Sequence, residues 1–446
     1  MKIAFLHQPW NRIRPERPQG SVPIWTSQVA QRLREEHDVY VYSGRFDDAP
    51  AYETKGGIHY VRVSAPLDPW IDRVVLPLTK LRKLRDPRRP RMSSSLFARQ
   101  YYSRAAADMA AKGIEVVHVH SFPQAASVIR SFHPSATIVV HLHVEWLNLL
   151  PPRLARKQIR DADLVLGCSQ YVSERIGRAL PDCSPKLRTI YNTVDVDLFH
   201  EKQRSSSPAG KERKILFVGR ISPEKGIHVL LEAFHRLIEE DDLRLDIVGP
   251  DWMAPMEVIV NMSDADVVSQ LRIFYDDTAW GRLRARLKEN FPRRLRWLPD
   301  KTYRGTLERM VRGKMVGRVR FVGPVPNRDL PRWYREADLL VLPSLYETFG
   351  IPLIEAMASG TPVIATRTGG IREIVEDGRT GLLVEPGNPS ELAEGIRRLL
   401  RDTPLRKRMA EAARKQTVEK FSLSRTVKTL NQYYLDFAEP RRTSRA

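Results

Sequence analysis

Two carboxylates with seven residues between them, Glu347 and Glu355, stand in the segment PSLYETFGIPLIEAMASGTPVIAT, residues 343–366. They flank a turn that opens a helix. Ser344 and Thr348 are of the type that caps free amides, Gly350 lets a ligand approach the backbone, and Pro352 suits a first helical turn. The start of a helix carries about half a positive charge and unpaired N–H groups, which attract phosphate or sugar hydroxyls. Leu353, Ile354, Ala356 and Met357 then pack the helix, Gly360 ends it, and PVIAT follows as a buried strand. On their own the two acids also fit a plainer role, with Glu355 balancing a helix dipole and Glu347 solvated in a loop.

The spacing of the two acids resembles that of glycosyltransferase family four, the retaining, sugar-nucleotide-dependent enzymes also grouped as glycosyl transferases group 1. FVGRISPEKGIHVLLEAF (217–234) is similar to the family's phosphate loop, and TGGIREIVEDGRTGLLVEPG (368–387) to its late pattern. NTVD (192–195) resembles the family's Asn-Gly-Val-Asp stretch, with Thr193 in place of the usual glycine. The resemblance implies a GT-B protein: α/β, two Rossmann-like doubly wound parallel-sheet domains facing across a cleft. It implies transfer of a hexose-type sugar from a nucleoside diphosphate sugar to an acceptor hydroxyl, with the anomeric configuration kept and no cofactor or metal.

Roles carry over residue by residue. Arg220 and Lys225, in the loop after strand KILFV, are expected to clamp the diphosphate and to act in catalysis. Charge grows on that group as the sugar bond breaks, so fixed cations there favour the transition state over the ground state. Glu355 is expected on the donor ribose and Glu347, as a catalytic residue, beside the sugar. The amides of Phe349 and Gly350 are expected on sugar hydroxyls or phosphate. In the first domain the resemblance implies donor contacts from Gly20 and His143 and a catalytic position for His120. Gln19 stands where the family has a further glycine, which weakens the Gly20 contact. Ser169 and Asn192 match positions lining the interdomain region.

His120 and His143 end the strands EVVHVH and TIVVHLH, at the carboxyl ends where open α/β sheets bind ligands. Each belongs to a His-x-His pair whose members share a strand face. Such pairs also suit a metal, or simply satisfied core histidines.

The elements that must position these residues alternate strand and helix, as in parallel doubly wound sheets. IAFL, VYVYS, IHYVRV, EVVHVH, TIVVHLH, LVLGCS and LRTIYN are the strands expected in a domain over residues 1–200. A polar linker follows at 201–212. KILFVG, LRLDIVG, VRFVGPV, DLLVLPS, PVIAT and GLLVEP are expected in a second domain at 213–420, with an insertion near 251–313 that should form helices of its own. Residues 421–446 comprise an amphipathic helix, which in the family returns to the first domain, and a basic tail.

Composition agrees with an enzyme and bounds its setting. Cys168 and Cys183 are the two cysteines, so no disulfide framework is implied and a reducing, cytoplasmic compartment is expected. MKIAFLHQPW reads as a first strand and not as a signal peptide. No apolar run approaches the ~18 residues of a spanning helix. No G-x-G-x-x-G follows the first strand of either domain, which argues against a nicotinamide enzyme.

Seventy-three Lys and Arg against 53 Asp and Glu give a net charge of +20, which suits anionic partners or plain solvated faces. WIDRVVLPLTKLRKLRDPRRPRM (70–92) pairs an apolar side with the cations Lys80, Arg82, Lys83, Arg85, Arg88, Arg89 and Arg91, and basic amphipathic segments bind membrane interfaces. Peripheral attachment to an anionic cytoplasmic leaflet, reaching a lipid-linked acceptor, is therefore expected beside a core-packed alternative. Two other functions share some of these features: a sugar synthase or phosphorylase of the same fold, and a nucleic-acid-binding protein suggested by charge alone. No nucleic-acid motif supports the second.

Overall fold

The computed structural model describes residues 1–16, 20–46, 48–71, 91–200, 212–238, 242–253, 265–275 and 302–443. The chain divides into two compact units, Met1–Asp195 with Glu419–Ala446, and Val196–Val418.

In the first unit eight strands form one sheet: β1 (Lys2–Leu6), β2 (Asp38–Gly44), β3 (Tyr52–Lys55), β4 (Ile58–Val63), β5 (Val116–His120), β6 (Thr137–Leu142), β7 (Leu164–Gly167) and β8 (Leu187–Thr189). Their order is β3-β4-β2-β1-β5-β6-β7-β8, parallel except where β3 meets β4. The central strands β1, β5 and β6 are buried on both faces, as helices covering a parallel sheet require, with His118, His120 and His141 among otherwise mostly apolar side chains. Helix Ser21–Leu33 packs Trp25, Val29 and Leu33 onto Ile3, Phe5 and Val139. Leu423, Leu430 and Tyr434 of the C-terminal helix Leu423–Thr443 join the same core.

In the second unit six strands are all parallel: β9 (Arg213–Val218), β10 (Leu243–Val248), β11 (Val319–Gly323), β12 (Leu339–Leu342), β13 (Val363–Thr366) and β14 (Leu382–Val384). Their order is β11-β10-β9-β12-β13-β14. The sequence order turns back between β9 and β12 here, and between β1 and β5 in the first unit. Crevices at such switch points, beyond the strands' carboxyl ends, are where doubly wound sheets bind ligands.

Every strand expected from the sequence is present. One was missed: β3, YETK, has no apolar alternation because it is a largely exposed antiparallel edge strand. Within the expected insertion, Ala265–Arg272 and Tyr303–Met310 are helices. The expected basic helix WGRLRARLKENF and most of WMAPMEVIV lie outside the described residues, as do Gln19, linker residues 201–211 and residues 72–90 of the basic amphipathic segment.

Candidate active site

The two anion-directed loops of the second unit meet at its switch point. After β9 the chain runs through Gly219 and Arg220 into the short 3-10 turn Pro223–Lys225, and Gly226 starts helix Ile227–Leu237. Gly226 has φ 67, and a Cβ there would stand 2.0 Å from the carbonyl oxygen of Pro343, the first residue after β12. Only glycine lets the loop press so closely on the neighbouring strand end. A second tie runs the same way, as the Leu345 amide donates to the Glu224 carbonyl at 2.9 Å.

This packing brings two sequence-predicted residues together. Lys225 Nζ lies 2.6 Å from Glu347 Oε2, with the side chains only 13% and 12% exposed. A charge-assisted contact of this kind is worth about 1.5–3 kcal/mol. It also aims the Lys225 ammonium at the turn carrying Glu347, Phe349 and Gly350. Gly350 has φ 109 and is the N-cap residue of helix Ile351–Ala358, with Pro352 in the first turn. The expectation that Ser344 caps an amide is corrected: its hydroxyl is buried without a hydrogen-bond partner, and no side chain caps this helix. The glycine cap leaves Ser344 too far upstream, at the end of β12.

Arg220 is held differently. Its Nη2 lies 3.2 Å from Glu224 Oε1, which also accepts from Ser222 Oγ at 2.6 Å. The guanidinium sits 4.7 Å from the Trp252 ring centroid. A bridge between Ile221 and Asp251 places that ring beside it. Glu224 is buried whereas Arg220 is exposed enough to meet a ligand, so the acid and the ring orient a planar cation that stays open to solvent. The sequence reading missed Glu224, Ser222 and Trp252. Glu224 lies inside the quoted loop, and its position between the two cations was the available signal.

Glu355 lies in the second turn of its helix, 6% exposed. Tyr334 Oη donates to Oε2 at 2.7 Å and Asn327 Nδ2 to Oε1 at 3.0 Å. Burial raises its pKa to about 7, and these two hydrogen bonds only partly oppose the rise. Burial and the neighbouring carboxylate push Tyr334 well above the usual phenol range, so it stays a donor. The helix-dipole alternative for Glu355 does not describe this, because the first turn holds no acid.

In the first unit Gly20, with φ 90, is the N-cap residue of helix Ser21–Leu33. His120 ends β5 and His143 follows β6, and the two rings hydrogen bond, Nδ1 to Nε2, at 3.0 Å. His120 is 1% exposed, with its Nε2 bonded to Thr26 Oγ1 at 3.0 Å, so both its ring nitrogens are engaged inside the domain. His143 is also held by Asn192, and burial lowers its pKa to about 3, leaving a neutral imidazole. Ser169 caps helix Gln170–Ala179, accepting from the Val172 amide. The sequence reading missed His7, buried at the end of β1 with its ring 4.7 Å from that of His120.

Comparison with known proteins identifies the family and the fold. Residues 199–416 match the family described as Glycosyl transferases group 1, and residues 24–198 match Glycosyltransferase Family 4. Spore coat protein SA of Bacillus subtilis is 23% identical over 431 residues, 93% of this chain and 94% of that protein. Sucrose-phosphate synthase from Thermosynechococcus elongatus superposes with a TM-score of 0.67 at 21% identity, covering 98% of each chain. Anabaena HepE in complex with UDP-glucose superposes with a TM-score of 0.61 at 21% identity, covering 97% of this chain and 98% of that one. The chain belongs to the group 1 glycosyltransferases of family 4, and its two parallel-sheet domains are those of the GT-B fold.

Proposed function

We propose that this glycosyltransferase moves a hexose-type sugar from a nucleoside diphosphate sugar to an acceptor hydroxyl, with retention and without a metal ion. The observation that carries the proposal is the Lys225–Glu347 pair at the β9/β12 switch point, with Arg220 open to solvent on the same loop. HepE, of similar fold, binds UDP-glucose.

The acceptor oxygen attacks the anomeric carbon as the bond from that carbon to the phosphate oxygen breaks. The departing diphosphate takes the acceptor's proton on the same face, so the configuration is kept and no covalent sugar–enzyme bond forms. Negative charge rises on the diphosphate and positive charge on the sugar ring. Arg220 and Lys225 answer the first, and Glu347, partly released by Lys225 as that cation turns to phosphate, answers the second. Glu355 accepts from the ribose hydroxyls. His120 and His143 hold the first-domain position that the family uses at the sugar.

A lipid-linked acceptor at an anionic membrane surface fits the basic amphipathic segment, which opens on Trp70, 59% exposed. The attachment proposed is peripheral; among the described residues no helix is long and apolar enough to cross a membrane.

The test is a thermal-shift panel of UDP-, GDP- and ADP-hexoses, followed by NMR of the product formed from the donor that binds. Ligand at 100 times its dissociation constant stabilises by about 2.7 kcal/mol, enough to single out one base. The first-formed product carries the donor's anomeric configuration. An inverted anomer would end the same-face mechanism, and no response to any donor would end the proposal.

A further inference from the structure

The first unit contains a histidine cluster larger than sugar transfer needs. His118 and His120 share one face of β5, and the register sets His120 opposite His141 of β6. Trp25 covers them, its ring 5.0 Å from that of His141 and 5.7 Å from that of His118. With His7 and His143, five imidazoles lie within one buried patch.

Their hydrogen bonds form two chains. Tyr434 Oη bonds His118 Nδ1 at 2.7 Å, and His118 Nε2 bonds His141 Nδ1 at 3.2 Å. Thr26 Oγ1, His120 and His143 form the second. What remains is unusual: His141 Nε2 and both ring nitrogens of His7 are buried without partners. Each unsatisfied polar group in a core costs roughly 1–3 kcal/mol, so the unpartnered His7 ring beside His120 points to a ligand that one of its nitrogens meets.

We propose that His118, His120 and His141 form a buried transition-metal site, with His7 beside it as the fourth imidazole. One ligand atom from each of the three lies within 4.8 Å of the others. The His118–His141 separation of 3.2 Å is already that of two nitrogens on one tetrahedral ion, roughly 3.3 Å apart with bonds of about 2.0 Å.

The donor set is all imidazole, which suits zinc, cobalt, nickel or copper and not magnesium or calcium. The outer shell is in place, because metal-bound imidazoles direct their second nitrogen to a fixed partner. Tyr434 stands there for His118 and Thr26 for His120, whose Nδ1 would exchange its contact with His143 Nε2 for the ion. The ion would tie β5 to β6 and, through Tyr434, to the C-terminal helix, which makes it structural. The site shares His120 with the sugar-transfer reading, whereas the diphosphate clamp of Arg220 and Lys225 lies in the second unit.

The test uses the full chain without a histidine tag. Protein from zinc-supplemented culture should carry one metal equivalent by mass spectrometry, retained through gel filtration in EDTA. Protein from cobalt-substituted minimal medium should show the visible absorption of a tetrahedral nitrogen site. His118→Gln and His141→Gln should cut metal content at least tenfold with the far-ultraviolet circular dichroism unchanged, while His228→Gln in the second unit retains it. If those variants misfold, the cobalt spectrum of the wild type decides alone. Metal-free wild type without a cobalt band, or glutamine variants that keep the ion, would overturn the proposal.

Discussion

Replacing Glu355 by Gln isolates the buried carboxyl at the donor site. In the folded protein burial holds its pKa at about 7, against 4.5 for a free glutamate side chain. That rise corresponds to about 3 kcal/mol, at 1.36 kcal/mol for each tenfold change in acidity. Between pH 4.5 and 7 the folded chain holds a proton that the unfolded chain has released. The stability this proton lends is therefore full below pH 4.5 and is lost as pH rises through 7. Glutamine cannot ionise, yet it still accepts from Tyr334, and Asn327 can turn its oxygen to meet the new amide.

Urea midpoints at pH 5, 6, 7 and 8 are the assay. Relative to Glu355→Gln, the wild type should lose up to about 3 kcal/mol across this range at unchanged denaturant slope. The same ionisation should help function. A carboxylate accepts ribose hydroxyls better than a neutral acid, so wild-type affinity for the nucleoside diphosphate should rise up to about tenfold from pH 6 to 8, whereas the variant binds weakly and evenly. Parallel stability profiles for the two proteins would refute the burial argument.

Arg220→Ala and Lys225→Ala should each lower turnover at least about tenfold, a loss of 1.4 kcal/mol of transition-state stabilisation in initial rates. Gly226→Ala should destabilise the second unit, since the added carbon meets the Pro343 carbonyl at 2.0 Å; an unchanged melting temperature would contradict the close packing. Excess EDTA added to the folded enzyme should leave turnover unchanged, and specific restoration by magnesium or manganese of an activity lost to EDTA would reverse that expectation. Wild-type protein should float with anionic vesicles at low salt and not with neutral ones, and changing Arg82, Lys83 and Arg85 to Ser should weaken the binding; indifference to anionic vesicles would remove the membrane role.

Much of the fold was legible because parallel strands buried on both faces read as short apolar runs, as VVHVH and LLVL do. The antiparallel edge strand YETK carries no such run and was invisible. Arg220, Lys225, Glu347 and Glu355 were legible as motif residues, but their pairing was not. That Lys225 grips Glu347 depends on the contact of Gly226 with Pro343, more than a hundred residues apart in the chain. The partners of Glu355 come from a turn and a helix upstream, Asn327 and Tyr334, with no local spacing to betray them. His-x-His pairs hinted at the cluster in the first unit, yet His7 joins it only because β1 lies beside β5 in the sheet.

The most direct test of the central claim is calorimetry of the preferred nucleoside diphosphate against its parent nucleoside, on wild type and on Arg220→Ala with Lys225→Ala combined. The account predicts that the diphosphate binds the wild type far more tightly than the nucleoside does, and that this advantage falls at least tenfold in the double variant. Equal advantage in both proteins would show that the diphosphate is held elsewhere and contradict the site.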